Sequence, residues 1–250
     1  MLGNLAHPGG TRQPGNQEEP APTLPRIAQL PSCQVAGLPS PGERVILDVA
    51  LVAVAYLLGS IPFGVVVARA QGGVDIRRVG SGNIGATNVL RAVGKGAAAL
   101  TLLADIGKGA LSVGLGRWLG VATPVLAAIA LAAVGGHLFP VFASFRGGKG
   151  VATTLGVVLV AMPVVGSLLI LIWLAVATLW RYSSLASLTA SAALPVLTWV
   201  LDGRPAMLAL SGALLALVLF RHRENITRLL DGTEGKIGQR VSTSNGQGVK

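Results

Sequence analysis

Residues 150–180, GVATTLGVVLVAMPVVGSLLILIWLAVATLW, carry no charged side chain over their whole length. A helix needs about 20 apolar residues to cross the hydrocarbon core of a bilayer, so this run is too long for one upright span. Pro163 lacks a backbone N–H and interrupts a helix interior. The run therefore predicts a short span near 150–161 and a longer span near 163–180.

The chain on either side of this run is also rich in apolar residues. Hydrophobic residues make up 52% of the 250 positions and charged residues only 12%, which is unlike a soluble globular domain. Five more apolar stretches are long enough to be spans: 46–68, 97–119, 121–142, 184–201 and 205–220. We therefore predict an all-α, polytopic membrane helix bundle with seven transmembrane helices.

The basic residues predict the orientation of this bundle. Cytoplasmic loops of membrane proteins carry an excess of Lys and Arg, and seven spans place most of the basic residues on one side. That side holds Arg69, Arg77, Arg78, Arg91, Lys95, Arg146, Lys149, Arg181, Arg221, Arg223, Arg228, Lys236, Arg240 and Lys250. An odd number of spans then puts the N-terminus outside and the C-terminus inside. An even number would destroy the asymmetry.

The two ends of the chain differ from the predicted membrane domain, residues 44–238. Residues 1–43 are rich in proline and have no periodic apolar run, which predicts a disordered extension or a mis-assigned start. Residues 239–250 form a polar tail. The net charge of +10 lies at the ends of spans without interleaved aromatics, which favours contact with membrane lipid over nucleic acid.

A donor-rich loop follows the first span, with the sequence GSGNIGATNVLR at residues 80–91. Its glycines let backbone N–H groups approach an anion closely, and its side chains add hydroxyl, amide and guanidinium donors. The formal G-x-G-x-x-G match is weak, because no buried strand precedes it. We expect substrate-binding roles for Gly82, Asn83, Thr87, Asn88 and Arg91, and a direct role in the chemistry for Ser81.

Two further polar segments are predicted to reach the same side of the membrane. Lys149 lies between Gly148 and Gly150 at the start of an apolar run, where a helix N-terminus and a lysine together favour an anion. We expect the two glycines to bind substrate and Lys149 to act in the chemistry. His222 and Asn225 are spaced i, i+3, so both can face one cavity if the seventh helix extends to residue 226. The three clusters together predict one site.

The Asp105 and Lys108 pair lies inside the second span, where unpaired charges are expensive. Their i, i+3 spacing favours a structural ion pair, with a role in orienting substrate as the alternative. A lone histidine such as His137 is more often a packing or capping residue than a base. No H-E-x-x-H or G-x-S-x-G motif is present, and Cys33 is the only cysteine, so no metal or cofactor is predicted.

Four stretches together resemble the bacterial acyl-phosphate:glycerol-3-phosphate acyltransferases, the PlsY family. They are GSIPFG at 59–64, GSGNIGATNVLR at 80–91, GHLFPVFASFRGGKGVAT at 136–153 and HRENITRLLDGTEGK at 222–236. The resemblance implies transfer of a fatty acyl group from acyl phosphate to the 1-hydroxyl of glycerol 3-phosphate. It also implies a bacterial inner-membrane location, a site facing the cytoplasm, and a possible partnership with the enzyme that makes acyl phosphate.

The resemblance implies active-site roles for Ser81, Thr87, Arg91, Lys149, His222 and Asn225. Both substrates carry phosphate, and a site composed mainly of donors suits an attack that forms an oxyanion and releases phosphate. His222 and Asn225 are expected to bind and orient substrate, with a general-base role for His222 as a further hypothesis. The alternative function is a membrane transporter of anions or phosphate esters, whose sites usually lie near the midplane.

Overall fold

The computed structural model describes residues 40–238, and within that range every regular element is helical. The predicted extension up to residue 39 and the tail 239–250 lie outside the described residues. The helices are α1 (Pro41–Gly59), α2 (Phe63–Gly72), α3 (Ala86–Ala92), α4 (Lys95–Trp118), α5 (Thr123–Leu138), α6 (Val151–Ala161), α7 (Pro163–Trp180), α8 (Ser183–Leu201), α9 (Pro205–Arg221) and α10 (Arg223–Leu230).

The first helix begins earlier than the predicted boundary at residue 44. Ser40 is the N-cap: its hydroxyl accepts from the Glu43 N–H at 3.3 Å, and the Glu43 carboxylate accepts from the Ser40 N–H at 2.6 Å. Pro41 occupies the first turn, where its missing N–H costs nothing. This capping box is a local signal that the apolar pattern alone does not contain.

The first predicted span, 46–68, is longer than expected and is interrupted. Helical structure extends over Pro41–Gly72, with a break at Ser60, Ile61 and Pro62 between α1 and α2. Pro62 cannot donate a backbone hydrogen bond, and within this break the Ile61 carbonyl accepts from the Phe63 N–H at 3.1 Å and from the Lys108 ammonium at 2.9 Å. The break therefore gives the α4 lysine a buried partner.

The interruption predicted at Pro163 is confirmed, since α6 ends at Ala161 and α7 begins at Pro163. Among residues 40–238, five helical stretches are long and apolar enough to cross a membrane, and α9 with α10 is a sixth if the two, which meet at a bend of 62°, form one span. α6 has 11 residues, so it is about 16 Å long and shorter than a hydrocarbon core of about 30 Å.

Close helix contacts at glycines hold the bundle together. A Cβ atom on Gly156 of α6 would lie 2.0 Å from the Ile106 carbonyl oxygen of α4, and one on Gly109 would lie 2.5 Å from the Thr153 oxygen. A Cβ atom on Gly136 of α5 would meet the Tyr56 oxygen of α1 at 2.1 Å. Small residues permit this approach, which dispersion forces stabilise in lipid.

The donor-rich segment 80–91 is not a loop throughout. Its second half is helix α3, and a short 3₁₀ turn at Ile76–Arg78 precedes it. α3 begins after Gly85, and its buried Val89 packs in a small cluster with Ile76 and Ile84. The apolar residues between the polar ones thus anchor the segment, which brings it to the same end of the bundle as Lys149 and His222.

Candidate active site

A cavity of about 690 Å³ brings the three predicted polar segments together. Its wall includes most of the predicted site residues: Ser81, Asn83, Thr87, Asn88, Arg91, Lys149, Gly150, His222 and Asn225. Gly82 instead lines an adjoining cavity of about 810 Å³, which shares Ser81, Asn83 and Lys149 with the first. Gly148 is in the wall of neither cavity.

Asn88 holds the donor-rich segment in shape from its centre. Its Nδ2 donates to the carbonyls of Ile76 at 3.2 Å, Val79 at 2.9 Å and Asn83 at 3.0 Å, and its Oδ1 accepts from the Ser81 N–H at 3.1 Å. The side chain is only 2% exposed. These bonds use the whole amide, so they favour a loop-organising role over the substrate-donor role expected from sequence.

Thr87 and Arg91 connect α3 to neighbouring parts of the site. The Thr87 hydroxyl lies 3.3 Å from the Ser183 hydroxyl at the start of α8. Arg91 donates through Nη2 to the Gly235 carbonyl at 3.1 Å, which ties the segment after α10 to α3. Arg91 also lines the cavity, and a guanidinium in such a wall is suited to binding an anion.

A chain of hydrogen bonds orients Lys149. Its ammonium donates to Asn225 Oδ1 at 2.5 Å, and Asn225 Nδ2 donates to Glu234 Oε1 at 2.7 Å. Because a carboxylate only accepts, Glu234 fixes which way the Asn225 amide points. Ser184 Oγ and Arg228 Nε donate to the same carboxylate, at 2.7 and 2.8 Å.

The surroundings of Lys149 and Glu234 shift the pKa values of both groups. Burial lowers the pKa of Lys149 to about 8, although the carboxylate of Glu234 acts in the opposite direction. Burial alone would raise the pKa of Glu234, but hydrogen bonds from Ser184, Arg228 and Asn225 outweigh it and hold the pKa below its ordinary value. Glu234 therefore stays ionised and Lys149 is mostly charged at neutral pH.

His222 lies at the bend between α9 and α10, so the shared face of His222 and Asn225 does not come from one continuous helix. It lines the cavity together with Asn225 all the same. Its Nδ1 lies 2.8 Å from the Val218 carbonyl, which only accepts, so Nδ1 carries the proton. Burial lowers the pKa of His222 to about 4, which leaves Nε2 as a neutral acceptor at neutral pH.

The glycines around Lys149 shape the backbone. A Cβ atom on Gly148 would lie 2.2 Å from His137 Nε2, and Arg221 donates to the carbonyls of Gly147 at 2.7 Å and Gly148 at 3.0 Å. Gly150 has φ +83°, a conformation that favours glycine, and lies directly before α6. Gly148 thus serves close packing, and the substrate contact expected of it finds no support in its position.

The structural ion pair predicted inside the second span is confirmed. Lys108 Nζ lies 2.8 Å from Asp105 Oδ1, and both side chains are 3% exposed. His137 Nδ1 lies 3.5 Å from the same oxygen, and Asp105 and His137 both reach the cavity wall. The cluster joins α4 to α5 and, through Ile61, to the break in the first span.

The two cavities differ in chemistry. The second cavity, of about 810 Å³, is rich in arginine: its wall includes Arg77, Arg146, Arg223 and Arg228 among other polar residues. The first cavity continues from its polar end into an apolar groove between α4, α6, α7 and α8, lined by Leu102, Ile106, Leu155, Leu169, Ile170, Trp173, Leu174, Ala190 and Leu194. Its wall thus combines donors for an anion with a slot for an alkyl chain.

Several residues at the site were not predicted from the sequence. Ser183 and Ser184 begin α8, and Arg228 and Glu234 lie in the segment 222–236, from which only His222 and Asn225 were predicted to be site residues. The available signal was the mixture of opposite charges over residues 222–236, because Glu234 lies six residues after Arg228 and two before Lys236 and is expected to pair with a nearby cation.

The helices and the cavity define a class: an integral membrane protein with a cationic site that opens into an apolar groove. The family model for glycerol-3-phosphate acyltransferase matches residues 49–232. A glycerol-3-phosphate acyltransferase of Rubrobacter xylanophilus is 52% identical over 197 residues, which cover 78% of this chain and 97% of the relative. One from Rhizobium meliloti is 47% identical over 185 residues, covering 74% and 90%.

Solved structures agree with these relatives. The glycerol 3-phosphate form of PlsY (YgiH), an integral membrane glycerol 3-phosphate acyltransferase, superposes with a TM-score of 0.74 at 45% identity, over 77% of this chain and 96% of that one. Its lysophosphatidic acid form gives a TM-score of 0.72 at 44% identity, with the same coverage. The chain belongs to the glycerol-3-phosphate acyltransferase family.

Proposed function

We propose that this protein transfers a fatty acyl group from acyl phosphate to the 1-hydroxyl of glycerol 3-phosphate, giving lysophosphatidic acid and phosphate. The observation that carries the proposal is the single cavity that joins the Lys149, Arg91 and His222 cluster to an apolar groove. A donor with a phosphate head and an alkyl tail matches both halves. The family membership supports the acceptor and product, and the groove with its cationic end supports the donor.

The polar residues suit both phosphates. Lys149 and Arg91 provide positive charge for glycerol 3-phosphate, and the basic second cavity offers a route by which anions reach Lys149. The hydroxyls of Ser81 and Thr87 and nearby N–H groups are proposed to hold the donor phosphate. Binding both substrates side by side supplies much of the acceleration, because it removes the entropy cost of an encounter.

The chemical step needs no group outside the two substrates and the protein. The acceptor hydroxyl oxygen attacks the acyl carbon, a C–O bond forms, and the carbonyl electron pair moves onto its oxygen. Collapse of that intermediate expels phosphate with the bonding pair of the broken C–O bond. The hydroxyl proton passes to His222 Nε2 or to a substrate phosphate, and substantial turnover by His222→Ala would eliminate the histidine route.

The donor is tested with purified protein in lipid vesicles. Labelled glycerol 3-phosphate is supplied with acyl phosphate, acyl-CoA or acyl carrier protein in parallel, and both product and vesicle-retained label are measured. We expect lysophosphatidic acid with acyl phosphate and at least tenfold less with the other donors. Product with another donor alone would refute acyl phosphate, and retained label without acylation would favour the transporter.

We propose seven crossings, with the N-terminus outside and the site facing the cytoplasm of a bacterial inner membrane. By itself α6 is too short to cross the hydrocarbon core. Its last carbonyls, however, accept from arginines that the charge rule places on the far side of the membrane: Val160 from Arg117 at 2.6 Å and Ala161 from Arg204 at 3.3 Å. Long arginine side chains reach inward from that surface, so a short helix is sufficient.

Cys33, the single cysteine of the chain, reports on this topology. A membrane-impermeant maleimide is expected to label it from outside intact spheroplasts. A Cys33→Ser, Ser244→Cys variant is expected to react only after permeabilisation, and the reverse pattern would refute the orientation. The acyltransferase domain is proposed to cover 44–238 with its helical start moved to Ser40, so a chain beginning at Ser40 should keep its activity.

A further inference from the structure

The amino end of α6 reaches the cavity with donors that the scheme above does not use. Helix geometry leaves the first N–H groups of α6 without an intrahelical acceptor, and no side chain caps them. Val151 and Ala152, the first two residues of the helix, line the cavity. The positive end of the helix macrodipole therefore lies at the cavity wall.

Thr154 adds an independent observation at the same place. Its side chain is 5% exposed and lines the cavity, yet its Oγ1 has no hydrogen-bond partner among residues 40–238. Buried hydroxyls nearly always have a partner, so an unpaired one in a cavity wall points to a bound molecule. Thr154 is three residues after Val151, which places both on one face of the helix.

The position along α6 indicates which part of a substrate this hydroxyl meets. Lys149, at the cationic end, precedes the helix, and Leu155, next to Thr154, belongs to the apolar groove. An acyl phosphate bound as proposed has its phosphate at the cationic end beside Lys149 and its alkyl chain in the apolar groove. The reacting carbonyl must then lie between them, at the level of Thr154.

We propose that Thr154 Oγ1, with the N–H groups of Val151 and Ala152, forms the oxyanion hole of this acyltransferase. Attack by the acceptor hydroxyl forms a C–O bond and moves the carbonyl electron pair onto its oxygen, and these donors stabilise the resulting charge until phosphate leaves. Donors fixed in advance stabilise developing charge more than ground-state charge, so they act on turnover more than on binding. The inference rests on the proposed acyl transfer.

The test compares three variants in the lipid-vesicle assay with acyl phosphate. Thr154→Val keeps the shape and removes the hydroxyl, and we expect a loss in kcat of about 10²-fold to 10³-fold. KM for glycerol 3-phosphate and the Kd for inorganic phosphate should stay within about twofold, because the lost contact belongs to the transition state. Thr154→Ser restores a hydroxyl and should recover most of the rate.

Thr153→Val is the matched control. The Thr153 hydroxyl is also buried and without a partner in the described part of the chain, but Thr153 is not part of the cavity wall. Its replacement should leave kcat unchanged. An equal loss in both variants would show a structural effect on α6 and overturn the proposal.

The remaining outcomes distinguish a failure of the proposed oxyanion hole from a failure of the proposed acyl transfer. An active wild type whose Thr154→Val variant keeps its kcat refutes the oxyanion hole alone. A variant that loses phosphate affinity instead of kcat shows that Thr154 binds phosphate, which also refutes it. A folded wild type that makes no ester from any donor refutes the proposed function and the inference together.

Discussion

Replacing Asn88 tests whether its side chain holds the backbone of the donor-rich segment 80–91 in shape or binds substrate directly. Asn88→Ala removes two N–H donors, which Asn88 shares among three carbonyls, and the oxygen that accepts from the Ser81 N–H. At a net contribution of about 0.5–1.5 kcal/mol for each of these three groups, the loss is about 1.5–4.5 kcal/mol of local stability. Asn88→Asp should cost at least as much, because it sets a buried carboxylate against three carbonyl oxygens.

The assay combines thermal unfolding in one detergent with hydrogen exchange of residues 76–91. Both Asn88 variants should lower the unfolding midpoint, lose protection in this segment and lose activity. Asn83→Ala is the control, because Asn83 lines both cavities and its replacement should change KM without changing protection. Normal protection in Asn88→Ala, with only a raised KM, would show that Asn88 serves the substrate directly.

Three further predictions concern the buried charges. Lys149 is charged below its pKa of about 8, so KM for glycerol 3-phosphate should rise about tenfold for each pH unit above that value. Lys149→Arg should abolish the rise, because arginine stays charged. A pH-independent KM in the wild type would contradict this prediction. Glu234→Gln should lower kcat/KM, measured from initial rates, by about 10-fold to 100-fold, because it weakens the hydrogen bond that orients the Asn225 amide. Unchanged rates would show that the carboxylate has no part in orienting Lys149. Asp105→Asn should destabilise the protein by about 3–5 kcal/mol in thermal unfolding, because it leaves the buried Lys108 ammonium without a counter-ion. Asp105→Leu with Lys108→Met should recover most of that loss, and equal effects would refute a coupled pair.

The fold was predictable where apolar length and proline act locally. Pro163 divides α6 from α7 as expected, because the missing N–H acts on its own chain. The break before Phe63 was not predicted although Pro62 is the same local signal, and the bond from Lys108 to the Ile61 carbonyl, 47 residues away, could not be predicted from local sequence. Apolar periodicity reports burial and contains no information about such distant partners.

The site was predictable as a set of segments but not as a set of roles. Ser81, Lys149 and Asn225 line one cavity as expected from the positive-inside rule and the proposed span count, which predict their segments on one face of the membrane. Asn88 and Gly148 have residue types suited to substrate, and only the three-dimensional partners assign them to the backbone. Glu234 was overlooked because its role depends on three donors from two other elements.

The stoichiometry of one reaction tests the central claim most directly. Wild-type protein in vesicles, given acyl phosphate and glycerol 3-phosphate, is followed for released phosphate and for lysophosphatidic acid in the same samples. The account predicts that both appear together in a ratio of about one, and that neither accumulates when glycerol 3-phosphate is left out. Phosphate release without the ester, or ester formation without phosphate release, would contradict direct transfer from acyl phosphate in this cavity.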